Sequence, residues 1–242
     1  MNEVLRQLKE RKSVRVFTEQ SISKEDKRAI LEAAMDAPTA GNQQLYTILD
    51  ITDAKLKETL SKTCDNQPFI AKAPMVLVFL ADFQKWYDAF AEAGCEPRKP
   101  REGDMMLAIC DTLIAAQNAV TAAQSLGIGS CYIGDIMELR ETHRELLNLP
   151  DYVFPAAMIV FGYPTQQQVE RAKPERCPLE YIVQENTYHK MDGEELRALF
   201  VKKPGIQTFE SWFSAFCNRK YHSDFSKEMS RSVKAYIEQF GE

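Results

Sequence analysis

An α+β fold, rich in helices and with a sheet covered by helices on both faces, is what the sequence predicts. Three observations lead there. Helical apolar periodicity recurs along the chain, strand-like apolar runs are few and short, and the run Met75 to Leu80, apolar at every position, suits a central strand with helices on both sides. At 242 residues the chain can bury a core without disulfides or a structural metal.

Val4, Leu5 and Leu8 repeat at helical spacing and predict a short amphipathic helix ending near Glu10, followed directly by an Arg/Ser-rich segment. Ser23 with Asp26 has the form of a capping box; Ile30, Leu31 and Ala34 give the next helix one apolar face, and Pro38 ends it. After the loop at 38–42, Tyr46 to Ile51 reads as a strand, and Asp53 caps a helix through Leu60. Residues 92–103 collect Gly94, Pro97, Pro100 and Gly103 and read as an excursion or lid. Asp104 opens the strongest helix, Met105 to Leu126, apolar or small on nearly every face and closed by Gly127; it belongs in the core or at a subunit interface. Tyr132-Ile133 and Ala156 to Phe161 are two further strands around a helix at Leu139 to Leu147. Past a basic, proline-punctuated stretch at 171–178, Tyr181-Ile182-Val183 reads as a short strand. From Asp192 the chain is helical, with Trp212, Phe213 and Phe216 as an anchor face.

Composition narrows the function. Thirty basic against thirty-five acidic side chains give a net charge of -5, which disfavours nucleic acid and anionic membrane surfaces as partners. The first thirteen residues contain no continuous apolar stretch, so no secretory signal is read, and the run Met75 to Ala81 is far short of the roughly 20 residues that span a bilayer. A cytoplasmic protein is expected. Six cysteines (Cys64, Cys95, Cys110, Cys131, Cys177, Cys217) form no C-x-x-C pair, and three histidines accompany them. No metal site is expected, and the thiols should be reduced and mostly buried.

Candidate chemistry begins at Arg11, Lys12, Ser13 and Arg15. In extended backbone the side chains at 11, 13 and 15 converge, and arginines with a hydroxyl suit a phosphate dianion. A solvated charge run at a helix end is the alternative. Arg171, Lys173 and Arg176 form a second basic set, stiffened by Pro174 and Pro178, which either closes on the same group or is a surface loop. Gly127-Ile128-Gly129 and Gly134 flank Tyr132-Ile133. They are no dinucleotide fingerprint, but small residues there let backbone amides approach a flat ligand; a helix cap and tight turn is the plainer reading. No hydrolytic triad, paired-carboxylate motif or zinc motif is present, and His143 on a charged helix is expected to be exposed. No catalytic side chain is assigned: a cofactor should carry the chemistry.

The segments E-R-K-S-V-R-V-F-T-E-Q-S-I-S, A-P-T-A-G-N-Q-Q, G-I-G-S-C-Y-I-G-D and K-P-E-R-C-P-L-E-Y-I-V-Q-E-N-T-Y stand in the order and spacing of nitroreductase/flavin reductase proteins. Over nearly its whole length the chain resembles that family's larger, NADPH-preferring branch. The resemblance implies a central mixed sheet flanked by helices and an interlocked homodimer with FMN at the subunit interface. It divides the chain into a core domain at 1–200 and a helical extension at 201–242. It makes Arg11, Lys12, Ser13 and Arg15 phosphate and ribityl contacts, with Lys173 and Arg176 as a second cationic arm. Gln67 becomes a contact to the flavin ring, Thr39, Ala40 and Asn42 a loop given by the partner subunit, and Tyr132, Ile133 and Gly134 the backbone against the flavin. Arg231 falls at a contact to the NADPH phosphate. Asp135 stands where the branch often has a second glycine, and K-P-E-R where it often has K-P-R.

The implied activity is electron transfer from NADPH or NADH through FMN to nitroaromatics, quinones or flavins by a ping-pong mechanism. A flavin-storage protein, or a member that dehalogenates its substrate or fragments flavin, would share the fold.

Overall fold

The computed structural model, which describes residues 1–200 and 208–241, places Met75–Asp82 (β2) at the centre of a four-stranded sheet, buried along its whole length. Tyr46–Asp50 (β1) lies on one side of it, and Val153–Gly162 (β4) on the other; Gly129–Ile133 (β3) completes the order β1-β2-β4-β3. All three ladders are antiparallel. Among the described residues, parallel pairing is confined to one bridge, Ser13 with Ser130. Pro155 cannot donate to a ladder, and the register shifts where it sits, between Phe79 and Leu80 of the facing strand.

The chain divides into two units, Met1–Arg171 with Glu228–Glu242, and Ala172–Lys227. In the first, the period of two along β2 feeds two cores. Leu77 and Phe79 pack with Ile30, Ala34, Ala116, Ala119 and Val120, from Lys24–Met35 (α2) and Glu102–Ser125 (α6). Val76 and Val78 pack on the opposite face with Leu60 of Ala54–Thr63 (α3) and Ile70 of Pro68–Lys72 (α4). A third cluster joins Phe154 to Tyr236 and Phe240 of the last helix. Ser23 caps α2, its side chain accepting the Asp26 N–H at 2.9 Å, and Asp53 caps α3 through the Leu56 N–H at 2.7 Å. The first helix, Glu3–Glu10 (α1), buries none of its residues, and Gln84–Glu92 (α5) precedes the irregular stretch leading into α6.

α6 opens two residues before Asp104, whose carboxylate accepts the Arg101 N–H at 2.8 Å. Gly127, at φ +73°, turns the chain after it. By length and apolarity alone α6 could cross a bilayer, which a search for continuous apolar runs overlooks because Asp111 and polar residues interrupt it. One face of it is core, while Met106, Leu107, Leu113 and Ile114 on the other are exposed. His143 departs from expectation: it is fully buried on Arg140–Leu146 (α7), because its ring finds polar partners inside. The thiols depart too, since Cys64 and Cys131 are buried but Cys95, Cys110 and Cys177 are exposed. Gln166–Glu170 (α8) ends the first long segment of this unit.

In the second unit the expected strand at 181–183 is absent. A 3-10 turn, Leu179–Tyr181, stands there instead, since a strand needs an edge to pair with and the described residues of 172–227 contain no other strand. Gly193–Phe200 (α9) and Phe209–Lys220 (α10) share an aromatic cluster: Trp212 and Phe216 stack at 5.0 Å between centroids, and Phe200 meets Phe213 edge-on at 4.8 Å. Asp224–Gly241 (α11) follows. The residue at which the C-terminal extension was expected to begin, 201, lies outside the described residues.

Candidate functional site

Arg11 leaves α1 in extended backbone, φ -54° and ψ 131°, and the chain then runs along the free edge of β3. The Val14 N–H donates to Ser130 O at 2.9 Å. Gly129 permits this approach, because a Cβ there would lie 2.6 Å from Val14 Cγ2. Side chains of an extended segment alternate, so Arg11, Ser13 and Arg15 share a side. All three bear on Cys131 in β3: burial raises its thiol above the ordinary value, and Arg15, Ser13 and Arg11 pull it back down. Arg11 Nε is buried with no hydrogen-bond partner, so the cluster holds an unsatisfied donor.

Lys12 takes the other side and is engaged differently. Its ammonium donates to Val169 O at 2.6 Å and to Arg171 O, closing the C-terminus of α8, while the Arg171 guanidinium donates to Ser13 O. Lys173 and Arg176 belong to the second unit.

β3 points at the rest of the set. Beyond Ile133 come Gly134 and a 3-10 turn, Asp135–Met137. Gln67, just before α4, donates through Nε2 to Cys64 O at 2.9 Å and to Asp135 Oδ2 at 3.0 Å, which fixes it beside Gly134. Ile133 is buried in the core, leaving its backbone for contact, and burial pushes the half-buried Tyr132 hydroxyl up to about 12. Thr39 and Ala40 are held by their own chain. The Thr39 hydroxyl donates to Asp111 Oδ2 and the Ala40 N–H to Asp111 Oδ1 at 3.1 Å, while Gln44 Nε2 donates to Asn42 Oδ1 at 2.8 Å. Gly41 and Asn42 both sit at φ +56° in this loop. Arg231 on α11 is gripped by Glu141 at 2.7 Å and Glu228 at 2.8 Å, and the guanidinium holds both carboxyls down at about 2.

Sequence reasoning missed two acids. Asp111 organises the 39–45 loop; it is the sole charged side chain between Met105 and Leu126, a signal that was readable. Glu138 is buried beside Asp135, Asp65 and Glu228, brought together only by tertiary structure. Cys64 Sγ lies 3.9 Å from His143 Nε2, yet this pair is no nucleophile and base. Burial pushes the thiol up to about 12 and the imidazole down toward its neutral form, and the ring is occupied by Ile136 O at 3.0 Å and Thr63 Oγ1 at 2.8 Å.

Comparison with known proteins places this geometry. The model of the nitroreductase family matches residues 8–163. An FMN reductase [NAD(P)H] of Bacillus subtilis (strain 168) is 31% identical, the match covering 98% of this chain and 92% of the relative. An oxygen-insensitive NADPH nitroreductase of Salmonella typhimurium is 34% identical over 76% of this chain and 74% of its own. Among solved structures, the NfrA1 nitroreductase from B. subtilis superimposes with a TM-score of 0.80 at 27% identity, covering 94% of this chain and 98% of that one. With more than half its length matched by the family model and an antiparallel α+β core that superimposes on a solved nitroreductase, the chain belongs to the nitroreductase family.

Proposed function

We propose that this chain binds FMN and moves electrons from NADPH or NADH to nitroaromatic, quinone or flavin acceptors. The observation that carries the reading is the cluster of Arg11, Ser13 and Arg15 on the edge of β3, with a buried guanidinium nitrogen of Arg11 unsatisfied. Two arginines and a hydroxyl match a phosphomonoester in charge and donor count. Relatives named as an FMN reductase and an NADPH nitroreductase support the cofactor and the reductant. When bound, FMN supplies the hydride chemistry; the protein's share is to hold and orient.

In this reading Gln67 and the backbone at Tyr132, Ile133 and Gly134 meet the ring, and Lys173 and Arg176 are the second set of cations for the phosphate. Lys12 contributes indirectly, by fixing the segment that carries Ser13. Arg231 meets the NADPH phosphate, in competition with Glu141 and Glu228. The two substrates use one pocket in turn, so a ping-pong pattern is expected. The protein works as a cytoplasmic homodimer, with residues 39–42 facing the partner's flavin and the chain from 201 onward as a C-terminal extension to the FMN-binding domain at 1–200, packing on the same domain or on the dimer partner. Heat-released chromophore identifies the cofactor: FMN supports the reading, and FAD or no flavin after reconstitution refutes it.

A further inference from the structure

One buried acid is unused by the phosphate grip. Glu138 is only 6% exposed, and its Oε1 is buried with no hydrogen-bond partner. Its N–H donates to Asp135 O at 3.0 Å, so it closes the turn that Asp135 opens beside Gly134. The groups that face it are mostly acids. Asp135 lies on its own turn, Asp65 comes from the connection between α3 and α4, and Glu228 from α11. The Cys64 thiol at the end of α3 also faces it, and His143 on α7 interacts with its backbone. Arg231 on α11 is engaged with Glu141 and Glu228, and among the described residues Glu138 forms no ion pair. A buried carboxyl among carboxylates, with no cation to compensate it, is pushed toward its protonated form. Asp135 in turn accepts from Gln67, the side chain assigned to the ring.

We propose that Glu138 holds the proton consumed when the acceptor is reduced and passes it toward the ring through Asp135; this inference rests on the FMN reading above. The balance is simple. A quinone takes up a hydride that originates from NAD(P)H and carries two electrons and one proton, and needs one further proton to become the hydroquinone. That proton leaves the Glu138 carboxyl, whose O–H bond breaks as an O–H bond forms on the acceptor, with the Asp135 carboxyl as relay. Glu138 is left as a carboxylate and regains a proton from solvent before the next turnover. Oxidation of NAD(P)H by hydride loss requires no proton from the protein, so dependence on Glu138 belongs to the second half of the cycle. Glu138 is a positioning residue for that proton rather than a contact to the substrate.

The test uses the FMN-loaded protein, reduced anaerobically with one equivalent of NADPH and mixed with benzoquinone on either side of pH 7. Burial, then Asp135, Asp65 and Glu228, push Glu138 up to about 7, so the reoxidation rate should fall as pH rises through that value. Glu138→Gln should slow reoxidation by about a hundredfold on the acid side, the lower end of what a general acid contributes, and flatten the profile. Glu138→Asp should keep a pH-dependent profile with a moved inflection, which serves if the Gln variant does not fold. A readout independent of turnover is thermal stability. A carboxyl raised in the folded state binds more protons folded than unfolded, so the wild type should lose stability as pH rises from about 4.5 to about 7, and Glu138→Gln should not. A Gln variant with unchanged reoxidation and an unchanged stability slope overturns the inference alone. Failure to bind FMN, or to bleach with NADPH, overturns the functional reading and this inference with it.

Discussion

Two neighbouring cations in the 11–15 segment carry opposite duties. Arg15 faces Cys131 of β3 together with Ser13, on the exposed side of the segment, and closes no helix end as Lys12 does, so Arg15→Ala should weaken FMN binding more than it weakens the fold. Loss of one charge-assisted partner to a dianion costs about 1.5–3 kcal/mol, roughly a tenfold to hundredfold rise in Kd, measurable by fluorescence titration. Lys12 closes the C-terminus of α8 through Val169 and Arg171. Lys12→Ala should therefore lower Tm, with a loss of about 1 kcal/mol, while FMN affinity falls less than in Arg15→Ala. Equal and opposite results in the two variants would exchange their roles. At Arg231 the carboxyls of Glu141 and Glu228 are depressed to about 2. Depressed carboxyls contribute stability above their ordinary range that disappears as pH falls through the folded value, so Arg231→Ala should bring acid unfolding to a higher pH, followed by circular dichroism.

At the scale of elements, the grip depends on how closely one strand edge admits another segment. Gly129→Ala places a Cβ at 2.6 Å from Val14 Cγ2 and 2.8 Å from its Cβ. Strain of about 1–3 kcal/mol is expected, together with loss of flavin, because the bridge of Ser13 to Ser130 must open. Denaturant unfolding and flavin content check the two effects together. α7 shows a different dependence. Leu139 adopts φ +47° ahead of it, and the first N–H groups are satisfied from α11, Leu139 by Glu228 Oε1 at 3.2 Å and Arg140 by Ser232 Oγ at 3.0 Å. Local sequence around Leu139 contains no such cap. This separates what could be read in advance from what could not. β2, α6 and the Ser23 and Asp53 caps were legible because their signals are local: apolar runs, a long small-residue helix and a side chain three residues from its N–H. The convergence of 11, 13 and 15 was legible from alternation alone. The burial of His143, the acid at Glu138 and the tie of Gln67 to Asp135 were not, since each joins residues remote in sequence, and the tripeptide at 181–183 misled because strand propensity says nothing about a missing neighbour.

For the molecule as a whole, exposed apolar surface is the informative feature. Val4, Leu5 and Leu8 on α1 and Met106, Leu107, Leu113 and Ile114 on α6 are all exposed, and the two helices lie in contact. Patches of this kind mark association surfaces. Sedimentation equilibrium should give a dimer, and replacing Leu113 and Ile114 with lysine should produce monomers that lose flavin; a flavin-replete monomer would argue against a shared site. The proposed activity itself is tested by anaerobic titration of the purified yellow protein with NADPH, followed by one equivalent of benzoquinone. Bleaching of an FMN spectrum by NADPH and its full return with the quinone is the expected result. A bound flavin that NADPH and NADH both leave oxidised, or a protein that binds no FMN, would contradict it.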